Sequence, residues 1–190
     1  LKNLNRELLD FRKIEQGHLK LKIQENDIVP YLGDIYDAFS EIAEEKNIEY
    51  IFEKDIEHVS VWYDPIQMDK VFYNLLSNAF NHVAEEKGKV KINFVNKIDR
   101  LVISVSDIGA RITKEEINKV FNRFFQSDPK KEHNEYYGSG IGLALAQSIV
   151  NAHNGEIKCE SEQGIGTTFT VTLKKGHHHL DSETLSSEKI

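Results

Sequence analysis

Three sets of residues in this chain have the type and spacing to do chemistry, and the most conspicuous is a glycine loop. Gly138-Ser139-Gly140-Ile141-Gly142-Leu143 places glycines at alternate positions, so backbone amides can approach a ligand with no Cβ in the way. The run from Leu143 to Asn154 has apolar residues at helical spacing, and Asn154-Gly155 reads as its stop. A glycine loop feeding a helix start aims free N–H groups and the positive end of the helix dipole at its guest, which suits phosphate. The same pattern serves a flexible turn before a core helix, and the stretch alone leaves both readings open. It is not a Walker loop, because no Lys follows Gly142. Nor is it a dinucleotide fingerprint, because the polar, proline-containing run Ser127–Glu135 precedes it where a hydrophobic strand is required. That run has the composition of a mobile flap.

The second set is Asn74 and Asn78, one turn apart on a segment whose stripe is Val71, Phe72, Leu75, Leu76, Ala79 and Val83. Asparagine is a mediocre helix former, so two beside a core stripe ask for a reason. A solvated face is one. An amide oxygen for a hard cation such as Mg²⁺, itself bridging phosphates, is the other. The third set is Asp107-Ile108-Gly109 at the end of an alternating strand. Its carboxylate either starts a turn or accepts from the exocyclic amine of a base, with Gly109 letting the ring lie close.

Several elements must position these groups. Leu1, Leu4, Leu8, Phe11 and Ile14 form an amphipathic helix that ends at Gly17, with a narrow stripe suited to a helical hairpin or coiled coil. Leu19–Ile23 alternates as a strand, and Asp27 caps a helix that tolerates Pro30 in its first turn. Ile48–Phe52 and Val59–Trp62 are short strands, and Asp64-Pro65 opens a helix to about Val83. Val90–Val95 and Leu101–Val105 pair as a hairpin, and Thr113-Lys114-Glu115-Glu116 is a capping box starting a helix to about Phe121. Glu156–Glu160 and Thr167–Leu173 are the last strands, with Thr167, Phe169, Val171 and Leu173 on one face. Alternation of this kind means a sheet buried on one face and wet on the other, so the fold class is α+β: a two-layer α/β sandwich with a mixed sheet and helices on one face. From Gly176 the chain is polar, a frayed end or linker that includes His177-His178-His179.

At 190 residues and 39% hydrophobic content the chain can bury one ordinary core plus an appendage. A net charge of -7, with no basic stripe, argues against a nucleic-acid partner. The lone Cys159 excludes an internal disulfide and reads as a small core residue. No apolar run is long enough to span a membrane. The sequence starts without Met and in mid-pattern, so a piece of a longer protein is expected.

Taken in order, Asn-x-x-x-Asn on a helix, Asp-x-Gly after a strand, Phe121-x-Arg123-Phe124, the flap, Gly-x-Gly-x-Gly and Gly164-Ile165-Gly166-Thr167-Thr168-Phe169 resemble the catalytic ATP-binding domain of sensor histidine kinases. These belong to the GHKL superfamily, with its Bergerat fold. The resemblance covers about residues 25 to 173 and is most like hybrid two-component sensors. It implies three parts: residues 1–23, the end of a dimerisation and phosphoacceptor hairpin with its connector; 24–175, the ATP-binding domain; and 176–190, a tail toward a receiver domain. It further implies that Asn74 and Asn78 face the triphosphate, with Mg²⁺ on Asn78, and that Asp107 with Gly109 reads adenine. Gly138, Gly140 and Gly142, with Leu143, would wrap the phosphates, and Thr168 would help close the adenine pocket. The implied partners are the phosphoacceptor helices of the same protein, a response-regulator receiver and a second copy in the full-length protein. The implied location is the cytoplasmic side of a membrane-anchored sensor, this piece itself being soluble.

ATP-hydrolysing branches of the superfamily carry Glu at the Asn74 position to activate water. An amide cannot act as that base, so phosphate transfer is expected. Two departures stand out. Arg111 replaces the second glycine usual after Asp-x-Gly, and Asn81 replaces a Lys usual near the phosphates. Both point to weaker nucleotide affinity, or to a silent domain that relays signals or dimerises. None of His18, His58, His82, His133 or His153 is followed by the acidic residue that the resemblance implies after a phosphoacceptor, so the acceptor must lie elsewhere.

Overall fold

A computed structural model of the chain describes residues 12, 20–83, 88–109, 112–126, 140–162 and 165–180. The expected N-terminal helix (apart from Arg12, which is helical), the flap, Gly138, Arg111 and Gly164 lie outside the described residues. In chain order the elements are β1 (Gln24–Asp27), α1 (Ile28–Glu45), β2 (Glu49–Lys54), β3 (Ser60–Tyr63), α2 (Pro65–His82), β4 (Lys89–Asn96), β5 (Arg100–Asp107), α3 (Lys114–Ile117), α4 (Gly142–Ala152), β6 (Glu156–Glu162) and β7 (Gly166–Lys174).

Five strands form one mixed sheet in the order β2-β4-β5-β7-β6. The β2–β4 pair is parallel and the others are antiparallel. A parallel neighbour needs a crossover, which β3 and α2 supply. Val90, Ile92 and Phe94 on β4, Leu101, Ile103 and Val105 on β5, and Phe169, Val171 and Leu173 on β7 all turn to one buried face. The stripes of α1, α2 and α4 complete a single core with them. Phe72, Phe94 and Phe169 are each 1% exposed, and burying each is worth about 1.5–3 kcal/mol. This is the sandwich expected from alternation.

Local signals set the helix starts. Asp27 caps α1 by accepting from Val29 N, and Asp64 caps α2 by accepting from Gln67 N, with Pro65 at the first helical position. Thr113 and Glu116 form the reciprocal capping box of α3.

Three expectations are corrected. The strand lies at Gln24–Asp27, paired antiparallel with β3, and not at Leu19–Ile23. The Lys22 amide donates to Asp64 Oδ2 at 2.8 Å, and Leu21 and Ile23 bury themselves in a small second cluster beside Trp62. Helix α3 stops at Ile117, well before Phe121; the turns that follow bury Val120 and set Phe121 edge-on against Phe169 at 6.1 Å. Residues 176–180 are not a frayed end. His177 meets the Trp62 ring at 5.1 Å, Leu180 joins Leu21 and Ile23, and Asn154 Nδ2 donates to the His179 carbonyl.

Candidate functional site

Helices α2 and α4 run antiparallel, packed along their apolar stripes, and two further contacts about three turns apart join them. The N-cap of α2 meets His153 at the end of α4: Asp64 N–H donates to His153 Nε2 at 3.0 Å. Farther along, Asn74 lies on Gly142, where an added Cβ would stand 2.5 Å from Asn74 Oδ1. The glycine turn is thus packed directly onto the first of the two asparagines.

Gly140 adopts φ +68°, and a Cβ there would fall 2.9 Å from Phe124 Cα. Phe124 N–H donates to the Gly140 carbonyl at 2.9 Å. The turn is therefore pinned to the Phe-x-Arg-Phe segment. Ile141 is fully buried at the N-cap, Leu143 is half-buried against the core, and no side chain among the described residues caps α4. The start of this helix consequently presents backbone donors and positive dipole without a side-chain acceptor of its own.

The other end of α2 reaches the carboxylate. Val83 bridges to Gly109, and a Cβ on Gly109 would stand 2.0 Å from the His82 carbonyl oxygen and 2.7 Å from Asp107 Oδ1. Asp107 is 3% exposed, on the helix-facing side of β5, and its Oδ1 has no hydrogen-bond partner among the described residues. Burial pushes its pKa up to about 7. Gly166, at φ +115°, lets β7 approach so closely that a Cβ would fall 1.8 Å from the Asp107 carbonyl oxygen. From Asn74 through Asn78 to His82 the helix spans about 12 Å. The glycine turn lies at one end of that ridge and the orphaned carboxylate at the other.

One predicted residue is on the wrong side. Thr168 pairs with Ser106 on the face of the sheet away from the helices, half-exposed. Thr167 is the threonine across from Asp107: it is 3% exposed and its hydroxyl lies 3.1 Å from Ser161 Oγ. Strand parity already placed Thr167 with Phe169, so the signal was present in the sequence. Asn81 is exposed on the last turn of α2.

No group of three or more His, Cys, Asp or Glu among the described residues could hold a metal ion alone. A hard cation here would need oxygens from a ligand besides an Asn amide, a donor set that suits Mg²⁺ arriving with phosphates. A cleft of about 320 Å³ beside Phe121, Arg123 and Gln147, and another of about 350 Å³ between α1 and β2, are lined by none of the predicted site residues.

The family described as histidine kinase-, DNA gyrase B-, and HSP90-like ATPase matches residues 63–177, the stretch that carries all of these groups. The chain belongs to this ATPase family. Proteins that it resembles in sequence include named histidine kinases. It is 39% identical over 195 aligned positions to Histidine kinase P4 of Formosa agariphila, covering 100% of this chain and 14% of that protein. It is 34% identical over 169 positions to Sensor histidine kinase WalK of Bacillus subtilis, covering 88% of this chain and 27% of that protein. The nucleotide-free catalytic domain of histidine kinase ThkA superposes with a TM-score of 0.72 at 28% identity, covering 82% of this chain and 99% of that one. ThkA in complex with response regulator protein TrrA gives 0.72 at 25% identity, over 92% of this chain and 49% of that one. The ATPase-family chain thus spans a small part of its curated relatives. No helix among its described residues is long and apolar enough to cross a membrane.

Proposed function

We propose that this chain is the ATP-binding kinase portion of a two-component sensor. It holds Mg²⁺-ATP along the ridge of α2 and offers the γ-phosphoryl to a histidine on an upstream helical domain, for relay to a response-regulator aspartate. The observation that carries the reading is a pair of opposite needs at the two ends of one ridge. Asp107 Oδ1 is a buried acceptor with no donor among the described residues, and α4 begins as a set of donors that no side chain among them caps. ATP carries an exocyclic amine at one end and a triphosphate at the other.

In this reading Asp107 accepts from the adenine amine, Gly109 leaves room for the ring, and Thr167 closes the purine end. Gly138, Gly140 and Gly142 let backbone amides reach the phosphates, and Asn74 orients them. Asn78 holds Mg²⁺, which when bound neutralises phosphate charge. In the transfer, an imidazole nitrogen bonds to the γ-phosphorus as the bridging oxygen departs with ADP. The chain contributes placement and charge neutralisation. Asn74 has no base function, which favours transfer over hydrolysis. Residues 1–23 then serve as hairpin end and connector, 24–175 as the ATP-binding domain, and 176–190 as the way toward a receiver, in a dimeric sensor whose kinase portion faces the cytoplasm. The ThkA–TrrA complex supports a receiver as partner.

The test is transfer from γ-labelled ATP to a separately supplied phosphoacceptor hairpin, with calorimetric titration of Mg²⁺-ATP alongside. Label should appear on the hairpin, require Mg²⁺ and vanish with Asn78→Ala. No heat at millimolar nucleotide would sink the reading, and sustained phosphate release without acceptor would move the chain to the hydrolytic branch.

Gly142→Ala probes the turn separately. Its Cβ would collide with the Asn74 side chain, whose amide can swing away, so the fold should survive. Asn74 would then leave the phosphates, and calorimetry should show Mg²⁺-ATP binding weakened about tenfold, the scale of one lost charge-assisted hydrogen bond. Unchanged affinity would separate Asn74 from the nucleotide.

A further inference from the structure

His153 is 2% exposed and sits at the C-cap of α4, and both of its ring nitrogens are engaged. Nε2 accepts from Asp64 N–H at 3.0 Å, and Nδ1 lies 2.8 Å from the Ile149 carbonyl oxygen. An amide donor at one nitrogen and a carbonyl acceptor at the other dictate the neutral Nδ1–H tautomer. Asp64 is itself a junction. Its Oδ1 accepts from Gln67 N–H, capping α2, and its Oδ2 accepts from Lys22 N–H in the segment that enters the domain. One run of hydrogen bonds therefore joins the entering backbone, the first turn of α2 and the last turn of α4.

We propose that His153 is a positioning residue for the nucleotide site: it latches the start of α2 to the end of α4 and so sets the longitudinal register that brings Asn74 against Gly142. The inference rests on the nucleotide reading above. Besides the apolar stripes packed between them, the two helices meet at Asp64–His153 and at Asn74–Gly142, separated by about 15 Å of helix. Helical rods transmit a shift along their axis with little attenuation, because interiors are close-packed and compress poorly. Freeing one end lets α4 slide on α2 and changes the gap between the asparagines and the glycine turn at the other end. The purine end is spared, because Asp107 stands on β5 and not on α4. Register thus governs phosphate contacts and leaves base contacts alone. Since Lys22 is bonded to the same carboxylate, a displacement of the entering segment acts on the same register.

The test uses His153→Leu, which fills the volume without an acceptor, and His153→Gln, which offers an amide oxygen to Asp64 N–H and an amide donor to Ile149. Mg²⁺-ATP and adenosine are titrated by calorimetry, and the Gly142 amide and Asn74 side-chain resonances are followed by NMR. His153→Leu should bind Mg²⁺-ATP about tenfold more weakly with adenosine affinity unchanged, and should shift both resonances. His153→Gln should restore most of the loss. Equal weakening toward both ligands, or parental behaviour of His153→Leu, overturns the latch. An unsubstituted chain that binds neither ligand overturns the nucleotide reading instead, and the resonance shifts then decide the latch alone. Should His153→Leu fail to fold, imidazole nitrogen shifts in the unsubstituted chain still decide: an Nε2–H tautomer overturns the proposal.

Discussion

Asp107→Asn should raise the stability of the nucleotide-free chain at pH 8 and remove its ATP binding. The carboxylate is 3% exposed, lacks a partner at Oδ1 among the described residues, and is raised by burial from 3.8 to about 7. A folded-state pKa above the unfolded one means that ionisation opposes folding. The contribution to stability is fully present below about pH 4 and is lost as pH rises through about 7. At about 1.4 kcal/mol per pKa unit, a shift of this size corresponds to about 4 kcal/mol at pH 8. A neutral amide of the same volume escapes that cost. Urea denaturation should therefore show the variant above the parent at pH 8, with the gap closing toward pH 4. Addition of Mg²⁺-ATP should reverse the order, because only the parent gains ligand stabilisation. In the parent, affinity should fall about tenfold between pH 8 and pH 6 as the acceptor is protonated. A variant less stable than the parent at pH 8 would show that Asp107 has a structural partner after all.

Gly166→Ala should have the largest effect on folding. Two independent demands meet at this position. Its φ of +115° lies where side chains are rarely found, and a Cβ would stand 1.8 Å from the Asp107 carbonyl oxygen and 3.0 Å from Ile108 Cα. Both opposing atoms are backbone, at the end of β5 and the residue after it, so no flexible side-chain end can yield. Relief requires parting β7 from β5 at the point where β7 also carries Thr167. A cost above about 3 kcal/mol is expected, from strain and overpacking together. The urea midpoint should drop accordingly, and nucleotide binding should weaken in whatever fraction remains folded, because the carboxylate moves with its carbonyl. Parental stability would mean that the end of β5 is far softer than its pairing indicates.

Features carried by neighbouring residues were legible in the sequence. Asp64-Pro65 and Thr113–Glu116 announced their helix starts, and the threonines of β7 announced a two-faced strand. The motif-bearing elements could be ordered because, apart from the asparagine pair inside α2, the motifs sit at element ends or between elements, where local chemistry is distinctive. Long-range competition was not legible. The alternating Leu21 and Ile23 look more strand-like than the polar Gln24–Asp27, yet β3 pairs with the polar run and leaves the apolar one to Trp62 and Leu180. The capping box fixed where α3 begins, but the pull of Val120 and Phe121 toward the core decided where it ends. Thr168 was chosen over Thr167 by motif, against the parity of its own strand. The isolation of Asp107 Oδ1 depends on the lack of a partner among the described residues, and the bond from Asp64 N–H to His153 Nε2 joins residues 89 positions apart, so no window of sequence displays them.

The small cluster of Leu21, Ile23 and Leu180 beside Trp62 joins the beginning and the close of the folded body at one spot. Leu21 and Leu180, close to the first and last of the continuously described residues, thus share a common anchorage. Modules fused before and after the folded body would share that tether and meet at effective concentrations on the order of millimolar, instead of searching for one another through bulk solution.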